Sequence, residues 1–358
     1  MKAIVLHCEP GSRFHFGKYA PDDDTALNDS DDIMHSDTLF AALINTYQEV
    51  FGDAQELVNA FDEGHLSISS LLYCLQQNDQ YTWLLPKPIC FNLFASDDYK
   101  EFRDIRFISK GVWENLQLPS SLTDAKLYHY FGNTQTVLTG DEIKFPAEYN
   151  DGEKIKWLLD RVKLSRLNTL PKVKVRDTPE ERGIYQLTVT EIADNSHLKI
   201  GLSVHLYFLT DDDNLSKEIA EKFFLVINML PYTGIGAERS TIGKIERIEV
   251  VNDWKIGLEN ADTDLMSSVS LFSPLQNDLA KMKYYKTIMR GGRRLGRGDD
   301  EEKRFLKSVR MISEGAILHK DCEGCLADVS PGADKTYLRN GKPLGLPVRS
   351  QWIPKYEQ

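Results

Sequence analysis

The residues best suited to hold a polyanion sit in one glycine-rich run, Gly234-Ile235-Gly236-Ala237-Glu238-Arg239-Ser240-Thr241-Ile242-Gly243. Gly234, Gly236 and Gly243 lack a Cβ, so the backbone there can take positive φ and approach a ligand closely. The run follows a predicted helix and precedes a predicted strand. Dinucleotide-binding loops run the other way, from strand into helix, where the helix N-terminus attracts the anion. Loop N–H groups and Arg239 must therefore do the holding, and a nucleic-acid phosphate chain suits such a site. The plain alternative is a helix-to-strand turn in which Gly234 is a C-cap after Pro231.

Three further constellations carry chemistry. Arg290, Arg293, Arg294 and Arg297, spaced by Gly291, Gly292, Gly296 and Gly298, read as a flexible arginine-rich arm or as a solvated loop. Arg13, His15 and Phe16 combine a cation with aromatic faces suited to stacking a base, or else form a strand-end cluster on the core. His35 precedes a predicted helix N-terminus, whose positive end lowers its pKa and favours neutral imidazole. That suits a hydrogen bond to RNA and leaves acid–base chemistry open. No second histidine or tyrosine can be paired with it, so no catalytic residue is assigned.

Metal and cofactor signals are weak. Cys322-Glu323-Gly324-Cys325 with His319 lacks the second close-spaced pair that structural zinc needs. Asp211-Asp212-Asp213 reads as a helix-capping turn. No Walker loop, nucleophile elbow or zincin motif occurs, and neither metal nor cofactor is expected.

These residues lie in a chain of 358 residues with 41% hydrophobic and 27% charged content, long enough for roughly two domains. No apolar run approaches the ~20 residues that span a bilayer, so no membrane partner is expected. Five widely spread cysteines fit a reducing compartment, and a cytoplasmic location is expected. The net charge is −11, but residues 281–310 carry eleven Lys/Arg against four Asp/Glu. Residues 161–182 carry seven against three. Concentrated basic segments on an acidic chain predict a localised polyanion site.

The pattern predicts a strand over 2–8 and a helix capped by Ser36, with Leu39, Phe40, Leu43, Tyr47 and Val50 on its apolar side. A second helical region covers 53–77, and an irregular insertion runs from about 95 to 180. Tyr185, Leu187 and Val189 alternate with polar residues, as do Ile200 through Phe208, and the turn 193–197 joins them as an antiparallel hairpin. A helix with Ile219, Phe223, Val226, Ile227 and Leu230 buried leads to the glycine loop and a strand over 244–251. The expected fold class is α+β, with a βαββαβ, ferredoxin-like domain over 1–254. A smaller unit over 262–358 has strands at 267–273, 285–290, 307–318 and 345–350, and carries the basic arm 290–298.

The glycine loop's place, last in a ferredoxin-like unit, resembles the hallmark of the RAMP proteins of CRISPR systems. His35-Ser36-Asp37-Thr38-Leu39-Phe40-Ala41-Ala42-Leu43 looks like the family's segment opening helix 1, and Arg13-Phe14-His15-Phe16-Gly17 like its first loop. Leu85-Pro86-Lys87-Pro88, Gly234 to Ser240, Tyr284 through Arg290-Gly291-Gly292-Arg293, and Ile312-Ser313-Glu314-Gly315-Ala316 follow in family order. Together they resemble the Csm-type RAMP subunit that caps the crRNA in type III-A complexes. Members often have Gly where this chain has Ala237, and Gly or Phe where it has Ile242. The resemblance implies two tandem ferredoxin-like (RRM-like, RAMP) domains with a long insertion in the first. It implies a non-catalytic antiviral-defence subunit that binds the 5′ tag of the crRNA and docks a large palm-domain subunit and a backbone RAMP subunit. The RNA-binding residues it suggests are Arg13, His15, Phe16, His35, Ser36, Lys87, Gly234, Ile235, Gly236, Ala237, Arg239, Ser240, Arg290, Gly291, Gly292, Arg293 and Arg294, with 161–182 as a hairpin thumb. The alternative is a metal-independent endoribonuclease acting on repeat RNA, with His35 as general acid or base.

Overall fold

A computed structural model describes residues 1–19, 27–89, 105–115, 129–131, 136–140, 142–147, 152–174, 183–239, 241–258, 264–292, 305–332 and 335–353. The chain opens with β1 (Lys2–His7) and β2 (Arg13–Phe14), then α1 (Ser36–Phe51), α2 (Gln55–Asp62) and β3 (Ser67–Ile68). β4 (Leu72–Gln77), β5 (Gln80–Pro86), β6 (Ile105–Ser109), α3 (Lys110–Asn115), β7 (His129–Phe131), β8 (Thr136–Thr139) and α4 (Gly152–Leu159) follow. Next come β9 (Ser165–Lys174), β10 (Gly183–Ile192), β11 (Ser203–Asp211), α5 (Lys217–Thr233) and β12 (Arg247–Val251). The C-terminal part is β13 (Leu265–Ser268), β14 (Met282–Tyr284), β15 (Thr287–Arg290), β16 (Val309–Ile312), β17 (Ile317–His319), β18 (Cys325–Asp328), β19 (Leu338–Gly341) and β20 (Gly345–Pro347).

The main sheet runs β12-β1-β11-β4-β5-β6-β8-β7, with β3 on β11. Counting β1, β4, β11 and β12 as first to fourth gives the order 4-1-3-2, with α1 after the first and α5 after the third. That is the βαββαβ arrangement. The third and fourth strands fall where the alternation puts them, and the second does not. Residues 53–77 are helical only over Gln55–Asp62; Leu72–Gln77 is the second strand, antiparallel to β11. The run Leu71-Leu72-Tyr73-Cys74-Leu75 is buried throughout, and such runs show neither period. Correspondingly, β10 does not pair with β11. It forms a separate sheet, β2-β10-β9, whose ten-residue β9–β10 ladder runs from Ser165↔Ile192 to Lys174↔Gly183.

Part of the 95–180 segment is regular, since β6, β8 and β7 extend the main sheet beyond β5. Its residues 95–104, 116–128, 132–135, 141, 148–151 and 175–180 lie outside the described ones. Past residue 264 the described residues hold no α-helix. They form three small antiparallel groups, β14-β17-β13-β20, β15-β16 and β18-β19.

One apolar core joins these parts. It runs from Ile4, Leu6, Leu43 and Phe208 to Val269, Ile317, Leu346 and Trp352. α1 buries Leu39, Phe40, Leu43 and Tyr47 and stops at Gly52, whose positive φ of 83° lets its N–H donate to the Gln48 carbonyl. α5 begins with Ser216 as N-cap, its hydroxyl accepting from the Ile219 N–H at 3.3 Å. It buries Phe223, Val226, Ile227 and Leu230. Leu43→Ala removes a fully buried side chain between α1 and the sheet. It should lower stability by about 2–5 kcal/mol, read as a shifted urea midpoint at constant slope.

Candidate nucleic-acid interface

The glycine loop closes on itself and on β2. The Ile235 N–H donates to the Gly243 carbonyl at 3.1 Å, and those of Thr241 and Ile242 to Glu238 at 2.9 and 3.0 Å. The Ala237 N–H donates to the His15 carbonyl at 3.0 Å, and the Gly243 N–H to that of Arg13 at 2.6 Å. Gly236 has φ 85°, and a Cβ there would sit 2.7 Å from the His15 carbonyl oxygen; at Gly243, φ 82°, it would strike the Ile235 carbonyl. These glycines therefore serve the close approach of loop and β2. Most loop amides are spent holding the loop's own shape, contrary to their assigned use on a ligand. Those of Gly236, Glu238 and Arg239 make no hydrogen bond among the described residues.

At the loop's rim, Arg239 donates to Glu49 at 3.0 Å. Ala237 is exposed, whereas Ile235 and Gly234 are buried. Ser240 lies outside the described residues.

β2 presents its cation and buries its rings. Arg13 is about half exposed, and its Nε donates to Glu191 at 2.8 Å. His15 is fully enclosed and donates from Nδ1 to the Thr188 carbonyl at 2.7 Å. Burial lowers its pKa more than that hydrogen bond raises it, which keeps the ring neutral. Phe16 is buried in a stack on Phe14, 5.5 Å between centroids at 17°. Neither ring offers a face to a base; of the two readings of this cluster, packing on the core is the one found.

His35, Ser36 and Asp37 face inward. His35, not Ser36, is the N-cap residue, and no side chain caps the helix. The Ser36 hydroxyl accepts from the Leu271 N–H at 3.0 Å, while its N–H donates to the Ser70 hydroxyl at 2.9 Å. His35 Nδ1 lies 2.7 Å from Glu314 and Nε2 3.3 Å from Asp31. Burial is the largest influence on this imidazole and lowers its pKa. The charge of Glu314 and the hydrogen bonds that the ring donates to Asp31 and Glu314 together outweigh it and lift the pKa to about 9. The ring is thus an imidazolium, contrary to the neutral form expected from the helix dipole, because two carboxylates at contact exceed half a dipole charge.

Asp37 anchors the rest. Arg290 Nε and Nη2 donate to its two oxygens at 3.0 Å each, and Arg339 donates to it as well. Burial alone would raise the Asp37 pKa, but the two guanidinium charges hold it well below the usual carboxylate range. Arg290 is only 3% exposed, so it belongs to this ion cluster and not to an exposed arm. The Gly291 carbonyl accepts from Arg339 at 2.6 Å, and that of Gly292 from the Leu306 N–H at 2.9 Å. Arg293, Arg294 and Arg297 lie outside the described residues.

The Lys87 N–H donates to the Arg106 carbonyl at 2.8 Å, and two residues on Ile89 donates to the Gly315 carbonyl at 2.8 Å. Four sequence-distant motifs, around His35, Lys87, Arg290 and Glu314, therefore meet in one place. Asp31, Glu314 and Arg339 complete it and went unassigned; the signal was Asp37 and Glu314 standing inside motifs where only neighbouring residues were read.

Two other clusters have structural explanations. His7 and His205 sit 4.5 Å apart, with His7 Nε2 3.0 Å from Glu249 and 3.1 Å from Tyr81. Both are closed from solvent, and burial drives His205 down to about 4. The Cys325 thiol donates to the Ser273 carbonyl at 3.5 Å, and Cys322 is buried. Among the described residues no group of three or more His, Cys, Asp or Glu is placed to hold a metal, and no helix is long and apolar enough to cross a membrane.

Replacing Asp37 by Asn leaves two buried guanidinium groups short of a counter-charge, and should cost about 3–5 kcal/mol in chemical denaturation. His35 titrates in the opposite sense to a carboxylate. Its folded pKa of about 9 lies above the unfolded value near 6.5, so its contribution is full below about pH 6.5 and lost as pH rises through 9. Denaturation midpoints should fall between pH 6.5 and 9.5, and His35→Gln should flatten that slope.

Residues 261–348 match the family model described as the CRISPR Csm4 C-terminal domain. Along its whole length the chain is 25% identical to a CRISPR system protein Csm4 of Methanocaldococcus jannaschii, covering 97% of both chains. The fold resembles a chain in the crystal structure of a Csm3-Csm4 subcomplex of the type III-A CRISPR-Cas interference complex, at TM-score 0.68 and 22% identity over 98% of this chain and all of that one. It also resembles a chain of a Csm1-Csm4 cassette in complex with cA4, at TM-score 0.52 and 14% identity over 99% of this chain and 98% of that one. Residues 261–348 thus match the Csm4 C-terminal domain, and the chain is similar over nearly all of its length to a Csm4 protein and, in fold, to a chain of a Csm3-Csm4 subcomplex of a type III-A CRISPR-Cas complex.

Proposed function

We propose that this chain is a non-catalytic RNA-binding subunit of a type III-A CRISPR effector complex that holds the repeat-derived 5′ tag of the crRNA. The observation that carries the reading is the end-to-end likeness to a Csm4 protein, which spans the glycine loop and the C-terminal region together. By the same likeness the chain docks a Csm1-type large palm-domain subunit and a Csm3-type backbone RAMP subunit, the companions named with Csm4 in solved assemblies. The 4-1-3-2 strand order supports a ferredoxin-like first domain. A second such domain over 262–358 rests on the resemblance alone.

RNA lies across the outer side of the glycine loop, where the amides of Gly236, Glu238 and Arg239 are open and Arg13 and Arg239 supply cations. The Arg239–Glu49 pair is a surface ion pair, worth at most about 1 kcal/mol, so a phosphate readily takes the carboxylate's place. Arg293 and Arg294, outside the described residues, are assigned phosphate contacts by the resemblance alone. Arg290, His35, Ser36, His15 and Phe16 act from behind it, by fixing the loop and the helix that frame it. A metal-independent nuclease centred on His35 is disfavoured because both ring nitrogens are engaged by carboxylates and the ring itself is buried away from a substrate.

Affinity purification from cells carrying the native locus should recover RNA with uniform 5′ ends that begin in one repeat-derived tag. Arg239→Ala and Arg293→Ala should each lower the log–log salt slope of RNA binding by roughly 0.7 per lost phosphate contact. Random or absent RNA in the purified complex sinks the capping role; unchanged slopes sink these arginines as contacts.

A further inference from the structure

A cleft of about 790 Å³ opens at the base of the β9–β10 hairpin, on the opposite side of β2 from the glycine loop. Gly11, Arg161, Lys163, Arg166, Glu191 and His197 are among its lining residues. Three cations reach it: Arg161 and Lys163 from the turn that leads from α4 into β9, and Arg166 from the second position of β9. All three are exposed. Glu191 is buried beneath them, and its oxygens are taken by Arg13, by Arg166 and by Asn168. Two arginines on one carboxylate leave that cluster a single positive charge, while the cleft lining as a whole carries three cations against three carboxylates. Asp160 and Asp194 also line it; Asp194 is turned onto the Ser196 N–H at 2.9 Å.

At the rim, the Arg161 guanidinium lies 3.8 Å from the centre of the Trp157 ring, and it also donates to the Trp157 carbonyl at 2.8 Å. With the guanidinium in place the indole is still 51% exposed. Among the chain's five tryptophans, Trp83, Trp113, Trp254 and Trp352 are all buried. A cation on an aromatic face beside exposed cations is the equipment of a single-stranded nucleic-acid site, in which bases stack and phosphates are neutralised.

Arg13 also links the cleft to the glycine loop. The Arg13 carbonyl accepts from the Gly243 N–H, while its guanidinium shares Glu191 with Arg166.

We propose that this cleft is a second RNA subsite, in which one nucleotide of a single strand stacks its base on the Trp157–Arg161 pair while Lys163 and Arg166 take the adjoining phosphates. The proposal rests on the RNA-binding reading above and adds a site to it.

The test uses the full chain and an unstructured RNA of about eight nucleotides, a length within the usual site sizes. Trp157 dominates solvent-accessible indole fluorescence, so RNA should quench it and shield it from acrylamide, and Trp157→Phe should abolish that signal while retaining affinity. Trp157→Ala should weaken binding by about 5- to 150-fold, the range for losing one stacked base. Lys163→Ala should reduce the salt slope by roughly 0.7. Wild-type binding with Trp157 still open to acrylamide, and with Trp157→Ala unchanged in affinity, overturns the subsite and leaves RNA binding at the loop standing. No binding by the wild-type chain overturns both readings.

Discussion

The carboxylate of Asp37 is fully buried and ionised, and the two guanidinium groups that keep it so come from the far end of the chain. Arg290 and Arg339 stand 253 and 302 positions away. Around this pair of contacts lie His35 as a cation and Asp31 and Glu314 as anions, so three positive and three negative charges share one enclosed volume. Isolated charges there would each carry a desolvation penalty of several kcal/mol. Balanced and hydrogen-bonded, they become a directional joint that apolar packing cannot supply, because only one placement of β15, β19 and the 312–316 turn satisfies every member. The apolar core is continuous across the same boundary and provides the cohesion; the ion cluster provides the register.

This joint explains why so much of the suggested RNA-contacting set is buried. Residues around 35–37, 87, 290 and 312–316 form a structural knot behind the loop, and their order along the chain reflects a shared packing solution. Seen linearly, Arg290 resembles Arg293 and Arg294. What separates it is its position as the last residue of β15, directed at a carboxylate on α1, and no local pattern reports a partner that far away. His35 fails in the same way. The helix dipole is readable locally, whereas Glu314 is not, and two adjacent carboxylates overrule the dipole.

Elements with a clear period were legible. α1 and α5 follow from apolar spacing, and β11 from its alternation. β4 was hidden because it is covered on both faces and so loses its alternation, as central strands do. β10 alternates as expected, but its pairing partner was misjudged, since a turn-rich connection over 193–197 looks the same whether the flanking strands pair or diverge into separate sheets. The glycine loop was legible as a special backbone. Its glycines answer first to β2, which lies against them, and only the exposed remainder is left for a ligand.

β2 is two residues long, yet three surfaces depend on it. Through its carbonyls and those of the following residues it holds the glycine loop. Through Thr190 and Glu191 it pairs with the hairpin. Through Arg13 it shares a buried carboxylate with Arg166 at the cleft. A strand this short is set by its neighbours and has little stability of its own. The Arg13 carbonyl that holds the loop and the Arg13 guanidinium on Glu191 belong to one residue, so the place of the loop and the place of that charge are fixed together. The loop and the cleft are in this way joined at one two-residue strand, through a single arginine.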